Sequence, residues 1–124
     1  LREDLSARYI EQLTGIQGLT FLQRQRDSEF SPNYSYFPVL INETEFGCSR
    51  DTLQERLRQH GISARKYFYP LTNSLECYGE RFNAGETPNS TYVAANVLTL
   101  PLYGALGRED VDRICEIIKG EQFI

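Results

Sequence analysis

The chain has 124 residues, 40% hydrophobic and 24% charged, a composition that suits one globular domain with its own core and excludes a disordered tail. A formal net charge of -4 argues against nucleic acid or an anionic membrane as the main partner, because both reward a basic surface. No apolar run approaches the roughly 20 residues that span a bilayer, and no signal peptide is visible. Cys48, Cys77 and Cys115 are odd in number and far apart, so neither a disulfide framework nor a metal cluster is expected, and a reducing cytoplasm fits best.

Leu5, Tyr9 and Leu13 recur at steps of four with Leu1 in phase before them, which predicts a first helix. No cap precedes this stripe, so residue 1 reads as a cut rather than a natural start. Gly15 and Gly18 close the helix, and Gln23 to Asn33 reads as a connecting loop. Tyr34 to Asn42 is the first predicted strand, with Phe37, Val39 and Ile41 on one face and Tyr36 and Leu40 on the other. Pro38 within it calls for an edge or a bulge, since it donates no ladder hydrogen bond. Ser49 caps a helix running to about His60, with Asp51 in its first turn, Leu53 and Leu57 facing inward and Gly61 at the stop. Ile62 to Tyr69 is predicted as a second strand, ended by Pro70.

Leu71 to Glu86 is a long irregular segment with one short turn of helix, of a length that tends to be functional or mobile. Thr87 and Pro88 then start a helix, the one as cap and the other at the first helical position. It carries Val93, Ala94 and Val97 and gives way to a short strand, Leu98 to Leu100, halted by Pro101. In the last helix Val111, Ile114, Cys115 and Ile118 follow the spacing i, i+3, i+4, i+7, with Glu109 and Asp110 in the first turn and Lys119 and Gly120 at the end. The alternation of strand-like and helix-like stretches predicts an α/β, or α+β, layered domain.

Catalytic motifs are absent. The single histidine, His60, sits in the last turn of a predicted helix, where the helix dipole favours a cation. No phosphate-binding glycine loop and no HExxH or CxxC metal motif occurs. Cys115 lies on an apolar helix face and reads as a buried structural thiol, while Glu43, Glu45, Glu76, Glu80 and Glu86 read as solvated surface. The dense feature is Ala64-Arg65-Lys66-Tyr67-Phe68-Tyr69-Pro70-Leu71, where basic and aromatic residues interleave. An RNA-binding sheet stacks bases on such a strip, but the acidic chain lacks a second one. The plain structural reading puts Ile62, Ala64 and Phe68 toward the core and Arg65, Tyr67 and Tyr69 on the other face.

Taken in order, His60-Gly61-Ile62, the strip Ala64 to Leu71, Thr87-Pro88, Leu98-Thr99-Leu100-Pro101-Leu102-Tyr103 and Gly107-Arg108-Glu109-Asp110-Val111-Asp112 resemble the end of the DegT/DnrJ/EryC1/StrS aminotransferases. The likeness covers essentially the whole chain. It implies the small C-terminal domain of a fold-type I enzyme, a short mostly antiparallel sheet packed against helices. Residues 1–16 would be the end of an interdomain helix and 17–124 the small domain, with a large pyridoxal-phosphate-binding domain outside this chain. The family's activity is transfer of an amino group, typically from glutamate, to a nucleotide-linked keto sugar, in homodimers. A dTDP-keto-deoxyhexose of cell-surface polysaccharide or deoxysugar biosynthesis is the expected substrate. The resemblance assigns no catalytic, cofactor or metal residue to this chain, which is expected to be inactive alone. Many relatives carry a histidine after the Pro-Leu of the strip, near the substrate, where this chain has Thr72 and Asn73. Tyr69, Thr72 and Asn73 are therefore the substrate-proximal candidates, with Arg65 a further candidate for an anionic group. The alternative is a free-standing α/β domain that binds a ligand or protein without catalysis.

Overall fold

The computed structural model describes residues 1–22, 29, 31–67 and 69–122. Phe68 and most of the loop read at Gln23 to Asn33 lie outside the described residues, so the inward orientation expected of Phe68 is not addressed.

Helix α1 (Arg2–Leu13) buries Leu5, Tyr9 and Leu13, the stripe read from their spacing. Leu1, although in phase, is 79% exposed, because it stands at the cap position ahead of the first turn. The chain then turns through Gly15 and Gly18, both at positive φ, into β1 (Leu19–Thr20).

β2 (Phe37–Ile41) is the middle strand of a three-stranded antiparallel sheet of order β1-β2-β3, with β3 spanning Val97–Leu100. The register pairs Phe37 with Leu100 and Val39 with Leu98. These four buried side chains therefore share one face, as alternation requires. Pro38 is tolerated in a middle strand because β1 reaches only Leu40 and Ile41. At Pro38 the described ladder continues on the β3 side alone, opposite Thr99, so the expected edge exists locally.

A short helix, α2 (Glu43–Phe46), is capped by the Asn42 side chain and leads to α3 (Arg50–Gln59), capped by Ser49, whose Oγ accepts from the Thr52 N–H at 3.1 Å. Gly61 follows in the left-handed conformation. α4 (Pro88–Asn96) opens on the expected proline. α5 (Arg108–Glu121) buries Val111, Ile114, Cys115 and Ile118, the four positions of its predicted stripe. It runs past Gly120, which closes nothing.

The core is one layer of α1, α3 and α5 laid on the sheet: Tyr9, Leu53, Leu57, Val39, Ile41, Leu98, Val111 and Ile118 are among its members. Tyr9 stacks on Phe37 with ring centroids 4.8 Å apart and donates to the Pro101 carbonyl at 2.8 Å, so its buried hydroxyl is satisfied. At the rim Arg8 of α1 forms a two-pronged ion pair with Asp112 of α5, at 2.5 and 2.7 Å, and Gln12 donates to the same carboxylate. The result is the α/β layered domain with a short antiparallel sheet that the sequence predicts.

The second predicted strand, Ile62 to Tyr69, does not form as such. Among the described residues of this stretch only Arg65 pairs with the sheet, exchanging both backbone hydrogen bonds with Thr99 of β3 at 3.0 and 2.7 Å. Beyond it the chain curls into a turn closed by the Tyr69 N–H on the Lys66 carbonyl at 2.9 Å. Lys66 is drawn back toward α3 by Asp51, at 2.8 Å. β3 still offers Leu98 and Val97 beyond Thr99, so the ladder ends because the Lys66–Asp51 ion pair draws the chain off the sheet edge.

Candidate functional site

Three local arrangements surround the strip from Arg65 to Leu71. The first centres on Arg50, the opening residue of α3. A cation in the first turn opposes the helix dipole, yet Arg50 is only 4% exposed. Its Nη1 donates to the carbonyls of Ala94 and Val97 at 2.8 and 3.0 Å, and its Nε donates to Asp51 at 2.7 Å. Ala94 lies in the last turn of α4 and Val97 is its C-cap and begins β3, so the guanidinium satisfies carbonyls that the helix end leaves open, at the negative end of that dipole. The guanidinium also lies over the Tyr69 ring, 5.2 Å from its centroid, and the Lys66 ammonium lies 5.8 Å from the same centroid. Asp51 serves both cations through one oxygen. The hydrogen bond from Lys66, followed by that from Arg50, holds its carboxyl below the usual carboxylate range despite partial desolvation.

The second arrangement is a cavity of about 400 Å³ lined by Leu71, Thr72, Asn73, Tyr78, Phe82, Thr87 and Ser90. The long segment that walls it folds into three short 3-10 turns, Thr72–Ser74, Glu76–Tyr78 and Ala84–Glu86, where one turn of helix was expected. Asn73 Nδ2 donates to Thr87 Oγ1 at 3.1 Å, tying the loop to the start of α4. This contact takes the Thr87 side chain, which makes no capping bond to α4; the helix start is as expected, the cap is not. Asn73 Oδ1 is buried without a hydrogen-bond partner, an acceptor that costs free energy until something donates to it. Tyr78 and Phe82 meet edge to face at 5.6 Å and remain partly exposed, so the cavity combines hydroxyl and amide groups with an aromatic wall.

The third is a hollow of about 320 Å³ along β3, where Arg65, Tyr36, Tyr67 and Tyr103 meet. Arg65 Nη1 donates to the Tyr67 hydroxyl at 2.8 Å, and Tyr36 packs edge-on against Tyr67 at 5.5 Å.

The four residues singled out in sequence thus fall into separate places. Thr72 and Asn73 share the cavity. Tyr69 stands three residues before it, 57% exposed, beneath Arg50 and Lys66. Arg65 lines the hollow on β3. Arg50 escaped the sequence reading, although a signal was there: a cation directly after a serine cap sits against the dipole and needs a partner elsewhere.

His60 is exposed at the C-terminal cap of α3, where its carbonyl accepts from Arg113 at 3.0 Å. Cys115 is fully buried and its thiol is pushed up to about 12 by burial, which leaves it inert as a nucleophile. Glu43, Glu45, Glu76, Glu80 and Glu86 are exposed. Among the described residues no three His, Cys, Asp or Glu side chains gather as metal ligands, and no helix is long and apolar enough to cross a membrane.

The family model for DegT/DnrJ/EryC1/StrS aminotransferases matches residues 1–119. The chain belongs to the DegT/DnrJ/EryC1/StrS aminotransferase family. It is 35% identical over 122 residues to the dTDP-4-amino-4,6-dideoxy-D-glucose transaminase of Escherichia coli, a match that covers 97% of this chain and 32% of the relative. Against the transaminase of the same name from Shigella dysenteriae it is 37% identical over 90 residues, covering 70% of this chain and 23% of that protein. The chain therefore spans no more than a third of these relatives' length. Among solved structures, DesI, crystallised in the presence of its TDP-sugar product, superposes with a TM-score of 0.83 at 30% identity, covering 95% of this chain and 29% of DesI.

Proposed function

We propose that this chain is the small C-terminal domain of a sugar-nucleotide transaminase and forms one wall of its substrate pocket, around the cavity at Thr72 and Asn73. The observation that carries the reading is the 35% identity, along nearly the whole chain, to about a third of a dTDP-4-amino-4,6-dideoxy-D-glucose transaminase. The substrate is a nucleotide-linked keto sugar, a dTDP-keto-deoxyhexose, and the amino donor is glutamate. The parent enzyme is a cytoplasmic homodimer with a larger domain. In this division residues 1–16 end the helix leading from that domain, and 17–124 form the small domain; Leu5, Tyr9 and Leu13 anchor that helix in the core.

Pyridoxal phosphate, which the family implies, supplies the electron sink for amino transfer when bound through a lysine amine. The two lysines of this chain do not fit that role. Lys66 is engaged by Asp51 at 2.8 Å, and Lys119 is an exposed residue in the last turn of α5. A Schiff-base amine must reach into the substrate pocket, and neither lysine lines the cavity at Thr72 and Asn73. The cofactor thus belongs to the larger domain, and this chain alone is inactive. Its own residues bind and orient: Asn73 and Thr72 present hydrogen-bonding groups, and Tyr78 with Phe82 limits water on one side of the cavity.

Two measurements test this. In the intact enzyme, Thr72→Ala and Asn73→Ala should raise KM or lower kcat/KM for the dTDP-keto sugar; an unchanged kcat/KM in both variants refutes the pocket assignment. Titration of the 124-residue chain with pyridoxal phosphate should give no saturable adduct, and a borohydride-trapped label on Lys66 or Lys119 refutes the division of labour.

A further inference from the structure

Among the described residues Arg50 is the one buried charged side chain, and what it touches connects two parts of the candidate pocket. One wall of the cavity is Leu71, Thr72 and Asn73, which follow Tyr69 after Pro70; the other is Thr87 and Ser90, at the start of α4. Arg50 meets the first wall at its root, through the Tyr69 ring, and the second at the far end of α4, through the Ala94 and Val97 carbonyls. A nine-residue helix is a stiff rod of about 13 Å, so fixing its C-terminal end constrains where its N-terminal end can lie. The Asn73–Thr87 hydrogen bond then joins the two walls at the cavity itself.

We propose that Arg50 is a positioning residue for the substrate pocket: it holds Tyr69 and the end of α4 together and thereby sets the spacing of the Thr72–Asn73 and Thr87–Ser90 walls. Asp51 and Lys66 complete the device, since Asp51 orients the guanidinium and brings Lys66 to the same ring. Burying an arginine costs free energy unless its donors are paired, and here Nε is spent on a carboxylate and Nη1 on two carbonyls. A lysine keeps the charge but has no planar fork with which to reach them together. The kinetic form of this inference rests on the transaminase reading above; its structural form does not.

The test uses Arg50→Met and Arg50→Lys in the intact enzyme, with Arg58→Ala as control, Arg58 being exposed and paired with Glu55. Backbone hydrogen exchange is read at Tyr69, Ser74 and Thr91, whose N–H groups bond Lys66, Leu71 and Thr87. The Arg50→Met variant should speed exchange there by about tenfold or more while leaving Val111 to Ile118 protected, with partial recovery in Arg50→Lys. In separately measured half-reactions, KM for the keto sugar should rise by about tenfold while the amino-donor half-reaction stays within about twofold. Equal losses in both half-reactions, or exchange that quickens across the whole chain, reduce Arg50 to general stability and overturn the proposal. Unchanged exchange at the three reporters also overturns it. An enzyme that aminates no nucleotide sugar sinks the functional reading, and exchange alone then decides the role of Arg50. If Arg50→Met does not fold, Asp51→Asn replaces it, since that side chain is 65% exposed; faster exchange confined to residues 66–73 supports the device, and no change refutes it.

Discussion

Replacing Gly18 by alanine should be far more damaging than the same change at Gly15, three residues earlier in the same turn. Both glycines have positive φ, +80° and +85°, so each alanine carries the left-handed backbone cost of about 1–2 kcal/mol. At Gly15 nothing lies within 4 Å of the new methyl, and the cost ends there. At Gly18 the methyl would stand 2.3 Å from the backbone nitrogen of Phe46 and 2.7 Å from its Cα. No side-chain rotation relieves a clash with backbone, so α2 must move away from the turn. That movement strains the Asn42 N–H bond to the Gly18 carbonyl, 2.7 Å long, and unseats Phe46, which is fully buried. Overpacking and the weakened bond bring the expected loss to about 3–6 kcal/mol, against the roughly 5–15 kcal/mol by which small domains are stable. Urea unfolding of both variants, at unchanged m, measures the difference. If the two alanines cost the same to within about 0.5 kcal/mol, the close approach of the α1–β1 turn to α2 is wrong.

Four further outcomes follow from the packing and the titrating groups. Tyr9→Phe removes the buried hydroxyl that donates to the Pro101 carbonyl while keeping the stack on Phe37, and should cost about 1–2 kcal/mol by chemical denaturation. With a thiol reagent under native conditions, exposed Cys77 should react at once and Cys115 only on unfolding. Because burial raises the Cys115 thiol from its ordinary 9.0 to about 12, the unfolded chain loses that proton first. Stability should therefore fall as pH rises from about 9 toward 12, by up to about 1.4 kcal/mol per pH unit from this group; a stability flat across that window contradicts the burial. At the acid end, Arg8 first, then Gln12, hold the Asp112 carboxyl below its ordinary 3.8. The unfolded chain then binds more protons, so this contribution is present above 3.8 and fades as pH drops through the lower folded value. An Asp112→Asn variant should flatten that part of the acid unfolding curve.

Local rules carried a large part of this protein. The stripes of α1 and α5, the Ser49 cap, the proline start of α4 and the inward face of β2 depend on residues within a turn or two of each other. Periodicity and capping chemistry read such features directly. The family was legible too, from two strips rich in proline and aromatic residues. What sequence could not decide was where a long-range contact overrides a local pattern. Alternation from Ile62 to Tyr69 promised a strand, but past Arg65 the pull of Asp51 on Lys66 turns the chain away from β3. Thr72 and Asn73 were recognisable as candidates. Their separation from Arg65, and the tie between Asn73 and Thr87, arise from packing of segments fourteen or more residues apart. Arg50 is the sharpest case: its sequence position marks only an unfavourable charge at a helix start, and its burial makes sense once α4, β3 and the Tyr69 ring converge on it in three dimensions.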